Sequence, residues 1–254
     1  MWDIGYQTEV RIDGNGPAIV LIHGTPLALD AWDGLVDVLS GDVRLLRYDL
    51  RGHGAAKAEP LPGSYGVLVD DLRRLLDDCG IKRAHVVGHS FGGQVAARFA
   101  RVHPDRLTSL TTVCSRMTPY PPFAKAADRI EAGGYAEVVG GVMRRWFPDQ
   151  LGPSEPDGVR YTRTAFKRAR PASFATALRL ISAFDLGGDL ESTAAPIRFV
   201  SAEDDQVVTA PDLLAAAARV PSGSFSLLRS CNHMVPVERP DRVAELIRET
   251  LSAA

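Results

Sequence analysis

The stretch from Ala84 to Ala96, Ala-His-Val-Val-Gly-His-Ser-Phe-Gly-Gly-Gln-Val-Ala, constrains this chain more than any other. A short apolar run, of the kind that forms a strand covered on both faces, leads into Gly88-x-Ser90-x-Gly92, and a segment of helical period leads out. A serine between strand and helix sits in a strained turn. The turn requires residues without a Cβ at the two glycine positions and lifts the serine oxygen above the sheet. It also puts Ser90 at a helix N-terminus, where partial positive charge favours a developing anion. Ser90 is therefore the candidate nucleophile. A purely structural Gly-Ser-Gly turn would explain the pentapeptide but not its context.

The rest of the chain repeats the strand-then-helix rhythm. Ala18–Ile22, Val43–Tyr48, Ala84–Gly88, Leu107–Val113, Ile197–Ser201 and Ser224–Leu228 are short, mostly apolar strand candidates. Between them Leu68, Leu72, Leu75, Leu76 and Cys79 recur at helical spacing, as do Val95, Phe99 and Val102, and later Val243, Leu246, Ile247 and Leu251. These stripes read as core faces without chemistry. The alternation predicts an α/β fold with a mostly parallel sheet and helices on both faces. Tyr6 to Ile12, followed by Asp13-Gly14-Asn15-Gly16-Pro17, reads as an antiparallel edge strand entering a turn. From Ser115 to Ala195 the rhythm breaks into helical pieces with no convincing strand. That stretch, 115–195, is expected to be a helical lid inserted into a core domain made of 1–114 and 196–254, over the sheet edge where open α/β sheets bind ligands.

Composition narrows the partners. With 254 residues the chain can bury one large core, and a formal net charge of −2 points to neither nucleic acid nor an anionic membrane. Three cysteines without CxxC spacing argue against a disulfide framework or a cysteine metal site, and for a reducing compartment. With no secretory leader pattern and no apolar run of about 18 residues, a cytoplasmic location is expected.

A serine nucleophile needs an oxyanion hole, a base and an acid. The N–H of Phe91, next after the nucleophile, is one expected donor; the N–H of Thr25 in His23-Gly24-Thr25-Pro26 is the second, because Pro26 has none. Among six histidines, His233 alone follows every acidic candidate in a loop after a strand, matching the chain order serine, acid, histidine. His89 is expected to point away from Ser90, and His23 and His53 to brace loops. For the acid, Asp205 ranks ahead of Asp204, with Glu203 expected in solvent; the cluster lacks companions at metal-ligand spacing. Between Arg144 and Arg179 there are eight basic and three acidic residues, so an anionic substrate could be drawn in, although solvated helix faces would look the same. Gly24, Arg144, Trp146 and Met234 are the candidate substrate-binding residues, with a lid-anchoring role equally open for Trp146.

These motifs, together with Arg47-Tyr48-Asp49-Leu50-Arg51-Gly52-His53-Gly54 and Asn232-His233, resemble the α/β-hydrolase superfamily over nearly the whole chain. Arg47-Tyr48-Asp49, Arg144-Arg145-Trp146-Phe147 and Phe184-Asp185-Leu186 are similar to the 3-oxoadipate enol-lactonases and small esterases. That resemblance implies an α/β-hydrolase fold and cleavage of a small ester or lactone through an acyl-enzyme, with no cofactor and no metal. It also carries the acid role to Asp205, the last position of a G-x-x-D pattern in which Ala202 replaces glycine. His23 and His89 depart from those lactonases, and a general esterase or cofactor-free perhydrolase relative fits both positions. A C–C bond hydrolase with the same triad stays open beside them, as does a non-catalytic ligand-binding relative.

Overall fold

A computed structural model of the chain describes residues 2–39, 41–188, 190 and 193–252. A short hairpin, β1 (Trp2–Asp3) and β2 (Gln7–Thr8), precedes the central sheet. The sheet comprises β3 (Val10–Asp13), β4 (Ala18–Ile22), β5 (Arg44–Tyr48), β6 (Ala84–His89), β7 (Leu107–Val113), β8 (Ile197–Ala202) and β9 (Gly223–Leu228). Its order is β3-β5-β4-β6-β7-β8-β9; β3 is antiparallel to β5 and the other pairs are parallel. The chain leaves β4 on one side for β5 and returns on the other as β6. The carboxyl ends of β4 and β6 therefore flank a topological switch point, where a crevice opens above the sheet.

Strands β4 to β8 are buried on both faces, which explains their continuous apolar runs. The edge strand β9, expected to be covered like them, leaves Leu227 38% exposed, because no strand or helix covers its outer side fully. Val20 and Ile22 of β4 face one cluster and Ile19 and Leu21 the other, as the two-residue period of a strand requires. Helices α1 (Asp33–Leu39) and α10 (Pro240–Ser252) cover the second face. Helices α2 (Tyr65–Asp78), α3 (Phe91–Val102) and α8 (Ala210–Ala218) cover the first. The stripe Leu68, Leu72, Leu75 and Leu76 on α2 is wholly buried, each leucine contributing roughly 1.5–3 kcal/mol of transfer free energy.

Two further expectations need correction. The segment from Tyr6 to Ile12 is not one strand. Gly5, at φ 100, turns the chain so that Gln7–Thr8 pairs back onto Trp2–Asp3, and only Val10–Asp13 joins the sheet edge. The hydroxyls of Tyr6 and Thr8 donate to the Asp49 carbonyl at 2.6 and 2.8 Å and hold the hairpin there. Val102 is 55% exposed, because it closes the last turn of α3 beyond the strands that Val95 and Phe99 pack on.

Between β7 and β8 lie α4 (Pro122–Glu131), α5 (Tyr135–Trp146), α6 (Asp157–Arg168) and α7 (Pro171–Ala183), with no strand among the described residues. Each is amphipathic, and their inner faces form a third apolar cluster that includes Leu27 and Met234 from the loops leaving β4 and β9. The four helices thus pack over the C-terminal edge of the sheet. No helix among the described residues is long and apolar enough to cross a membrane.

Candidate active site

The turn between β6 and α3 is tight. Ser90 has φ 50 and ψ −116, a region a side-chain-bearing residue seldom occupies. Its N–H donates to the Val113 carbonyl at 2.9 Å, tying the turn to β7. A Cβ on Gly88 would collide with the Gly92 carbonyl, and one on Gly92 with the Ile22 carbonyl at the end of β4. Close backbone approach is therefore what selects the two glycines.

His233, in the loop before the short helix α9 (Val235–Glu238), reaches this serine: its Nε2 lies 3.2 Å from Ser90 Oγ. Its Nδ1 lies 2.8 Å from Asp205 Oδ2. The other oxygen of Asp205 accepts the N–H groups of Val207 at 2.7 Å and Val208 at 3.0 Å, an Asx-type turn that aims the carboxylate. Burial opposes ionisation of Asp205, but His233 and the two amides outweigh it and hold the carboxyl below its ordinary value. Asp204 and Glu203 are exposed, and Glu203 caps the Ser230 N–H instead.

Three of the other histidines, His23, His53 and His89, brace the loops around the turn. His23 Nδ1–H donates to the Gly24 carbonyl at 2.9 Å, and its Nε2 accepts the Leu50 N–H at 3.0 Å. His53 contacts Thr25 Oγ1 at 2.9 Å and the Arg51 carbonyl at 3.0 Å. His89 points away from Ser90, and its Nε2–H donates to the His233 carbonyl at 2.9 Å, so it braces the His233 loop through the main chain. Burial lowers His23 and His89 to about 3 and His53 to about 4, so all three are neutral. Asp49, whose carboxyl burial pushes up to about 6, gathers the Leu29 and Ala55 N–H groups, each at 2.7 Å. The loop 23–26 is thereby held against the turn: a Cβ on Gly24 would stand 3.1 Å from Ser90 Cβ and 2.8 Å from His89 Nδ1.

The family model for the alpha/beta hydrolase family matches residues 19–246, nearly the whole chain. The chain belongs to that family. It is 27% identical over 249 residues to a pimeloyl-[acyl-carrier protein] methyl ester esterase of Nitrosomonas europaea, covering 92% of this chain and 95% of the relative. It is 25% identical over 246 residues to 3-oxoadipate enol-lactonase 1 of Acinetobacter baylyi, covering 95% and 92%. Its structure resembles the crystal structure of the enol-lactonase from Burkholderia xenovorans with a TM-score of 0.89 and 27% identity, over 98% of this chain and 97% of that one. A general hydrolase function follows for this alpha/beta hydrolase.

A cavity of ≈ 40 Å³ adjoins Ser90 and His233. Thr25 and Phe91 line it, as do Phe123, Val142, Trp146, Phe174 and Leu178 from the overlying helices. Arg144, Met234 and Gly24, expected as substrate contacts, do not line this cavity. On α5 the residues Val142, Arg145 and Trp146 border the cavity at i, i+3 and i+4, and the 100° step per residue turns Arg144 away from it, although both arginines are exposed. Met234 is buried in the third apolar cluster rather than in the cavity wall, and Gly24 abuts the turn from behind. Among the other cations between 160 and 179, Arg163 pairs with Glu155, Arg160 with Asp157, and Arg179 with Asp128 and Glu131 on the surface.

Three lining or supporting groups had no motif to announce them. Arg116, just past β7, lines the cavity; its guanidinium binds the Val207 carbonyl and Asp212, and its buried Nε has no hydrogen-bond partner. Gln94 also lines it, held between Tyr65 Oη at 2.6 Å and the Arg116 carbonyl at 2.7 Å. Cys114 ends β7 at φ 49, and burial followed by the hydrogen-bonded Asp205 carboxylate pushes its thiol up. Among the described residues Cys114, Asp205 and His233 form the one cluster with metal-ligand spacing, their donor atoms within 4.8 Å of one another. A larger cleft of ≈ 590 Å³ lies beyond His53 and Pro26 under α6, and neither Ser90 nor His233 lines it.

Proposed function

We propose that this alpha/beta hydrolase cleaves a small carboxylic ester or lactone through an acyl-enzyme, with Ser90, His233 and Asp205 as its catalytic triad. The observation that carries the reading is the continuous line Asp205–His233–Ser90, with contacts of 2.8 and 3.2 Å. Ser90 Oγ attacks the carbonyl carbon while His233 Nε2 takes its proton, and the carbonyl oxygen becomes an oxyanion facing the N–H groups of Phe91 and Thr25. Collapse breaks the bond to the alkoxy oxygen, which leaves with the proton from His233. Water then attacks the acyl-serine by the same route and releases the acid. Asp205 keeps the imidazole tautomer with its free nitrogen toward Ser90. In this reading residues 115–195 act as the lid that walls off the acyl site from water.

The lining supports a substrate with an anionic end. Two guanidinium groups, Arg116 and Arg145, and no carboxylate line the cavity among the described residues, and apart from Thr25, Gln94, Ser90 and His233 the rest of the lining is apolar. A carboxylate there would take the unused Nε–H of Arg116 and pair with Arg145. The test is turnover of p-nitrophenyl and lactone substrates by wild type and Ser90→Ala, with fluorophosphonate labelling of Ser90. Full activity in the variant, or an unlabelled wild type, would overturn the proposal.

A further inference from the structure

On that same reading, His233 carries a positive charge only while a tetrahedral intermediate forms and collapses, so any group that favours imidazolium over imidazole favours the transition state. The indole of Trp146 lies over the imidazole, with ring centroids 5.3 Å apart and planes inclined by 19°. It is buried and cannot swing away, because Phe166 stacks on it at 5.5 Å and 25°, and Phe174 meets Phe166 edge-on at 5.2 Å. Trp146 is thus the end of an aromatic stack that runs from α7 through α6 and α5 onto the base.

The charges around His233 make this face consequential. Asp205 and Cys114 stand on the Nδ1 side, His89 lies at 5.4 Å, and Glu238 interacts from α9. On the cavity side the charged lining groups are Arg145 and Arg116, the latter paired with Asp212, so the lining offers no carboxylate to an imidazolium. The π-face of an indole is negative, and of the aromatic side chains it is the best partner for a cation.

We propose that Trp146 is a positioning residue for the base: the helical layer lends His233 an indole face that fixes the ring plane and stabilises the imidazolium. The effect belongs to the transition state, so it enters kcat and leaves KM nearly unchanged. Trp146→Leu should lower kcat ~3–30-fold with KM within about 2-fold, and Trp146→Phe, which keeps a weaker π-face, should recover part of the loss. A raised KM with unchanged kcat would make Trp146 a substrate contact and overturn the proposal, as would equal kcat in the Phe and Leu variants.

A second measurement needs no Trp146 variant. Tryptophan emission of the wild type should fall as His233 is protonated by lowering the pH, and that step should be missing in His233→Gln. Identical emission titrations in the two proteins would overturn the stacking role. The acyl-transfer reading fails differently, through an active Ser90→Ala, and that outcome would leave the emission result standing.

Discussion

The sheet edge and the helical layer above it meet at Ser90, yet they are built on opposite terms. The edge is over-determined: Ser90 is tied to β7, Asp205 is held by two amides and His233, and the loop 23–26 is pinned by His23, His53 and Asp49. The layer of α4 to α7 is held by apolar inner faces, surface ion pairs and side-chain hydrogen bonds at its rim, such as Tyr161 to Asp30 and Gln150 to Glu238. On the proposed mechanism, reaction geometry therefore belongs to the backbone of the core. The shape and charge of the cavity belong to side chains that can be exchanged on helix faces.

The most severe losses are expected at the edge. Ser90→Ala or His233→Gln should lower kcat ~10⁴–10⁶-fold with the thermal midpoint nearly unmoved. A residual activity near wild type would show that the edge is not where the chemistry lies. Asp205→Asn comes next, at ~10⁴-fold in kcat through the wrong tautomer, whereas Asp204→Asn and Glu203→Gln should change kcat less than about 2-fold. A large loss in Asp204→Asn would move the acid to the neighbouring position.

On the helical side, charge is the probe. Arg116→Gln should reduce kcat/KM for a carboxylated ester ~10–100-fold while sparing its neutral analogue, from the loss of about 1.5–3 kcal/mol of charge-assisted hydrogen bonding. Arg144→Gln should leave both substrates unchanged. Equal losses on the two esters would assign Arg116 to holding Val207 and Asp212 in place rather than to recognition.

The smallest effect concerns pH. The Asp205 carboxyl is held below its unfolded value, so its stabilising link is complete above that value and is lost as pH falls through the folded one. The difference in unfolding free energy between wild type and Asp205→Asn should therefore stay flat between about pH 5 and 8 and narrow below about pH 4. A difference that changes near neutrality would mean that another group dominates the acid's environment.

Local pattern was enough for the elements whose chemistry is local. The run of Ala18–Ile22, the turn at Ser90 with its two glycines and the α2 stripe were legible because backbone sterics and burial on both faces act within a few residues. His233 was legible from chain order, since β9 and the last helix bracket its loop. The hairpin at Gln7 was not, because its pairing depends on the backbone reversal at Gly5.

What needed three dimensions was every choice between near neighbours. Asp205 rather than Asp204 meets His233 because of the turn closed on Val207 and Val208; Arg145 rather than Arg144 faces the cavity because of helical phase. Arg116, 26 positions past Ser90, and Trp146, 87 positions before His233, reach the site only through packing of distant segments. The α/β fold, the strained serine turn and the histidine loop were already written in the order of residues along the chain. Which acid, which arginines and which aromatic ring surround them was settled by folding, because contacts between distant segments depend on how helices pack and leave no trace in local spacing.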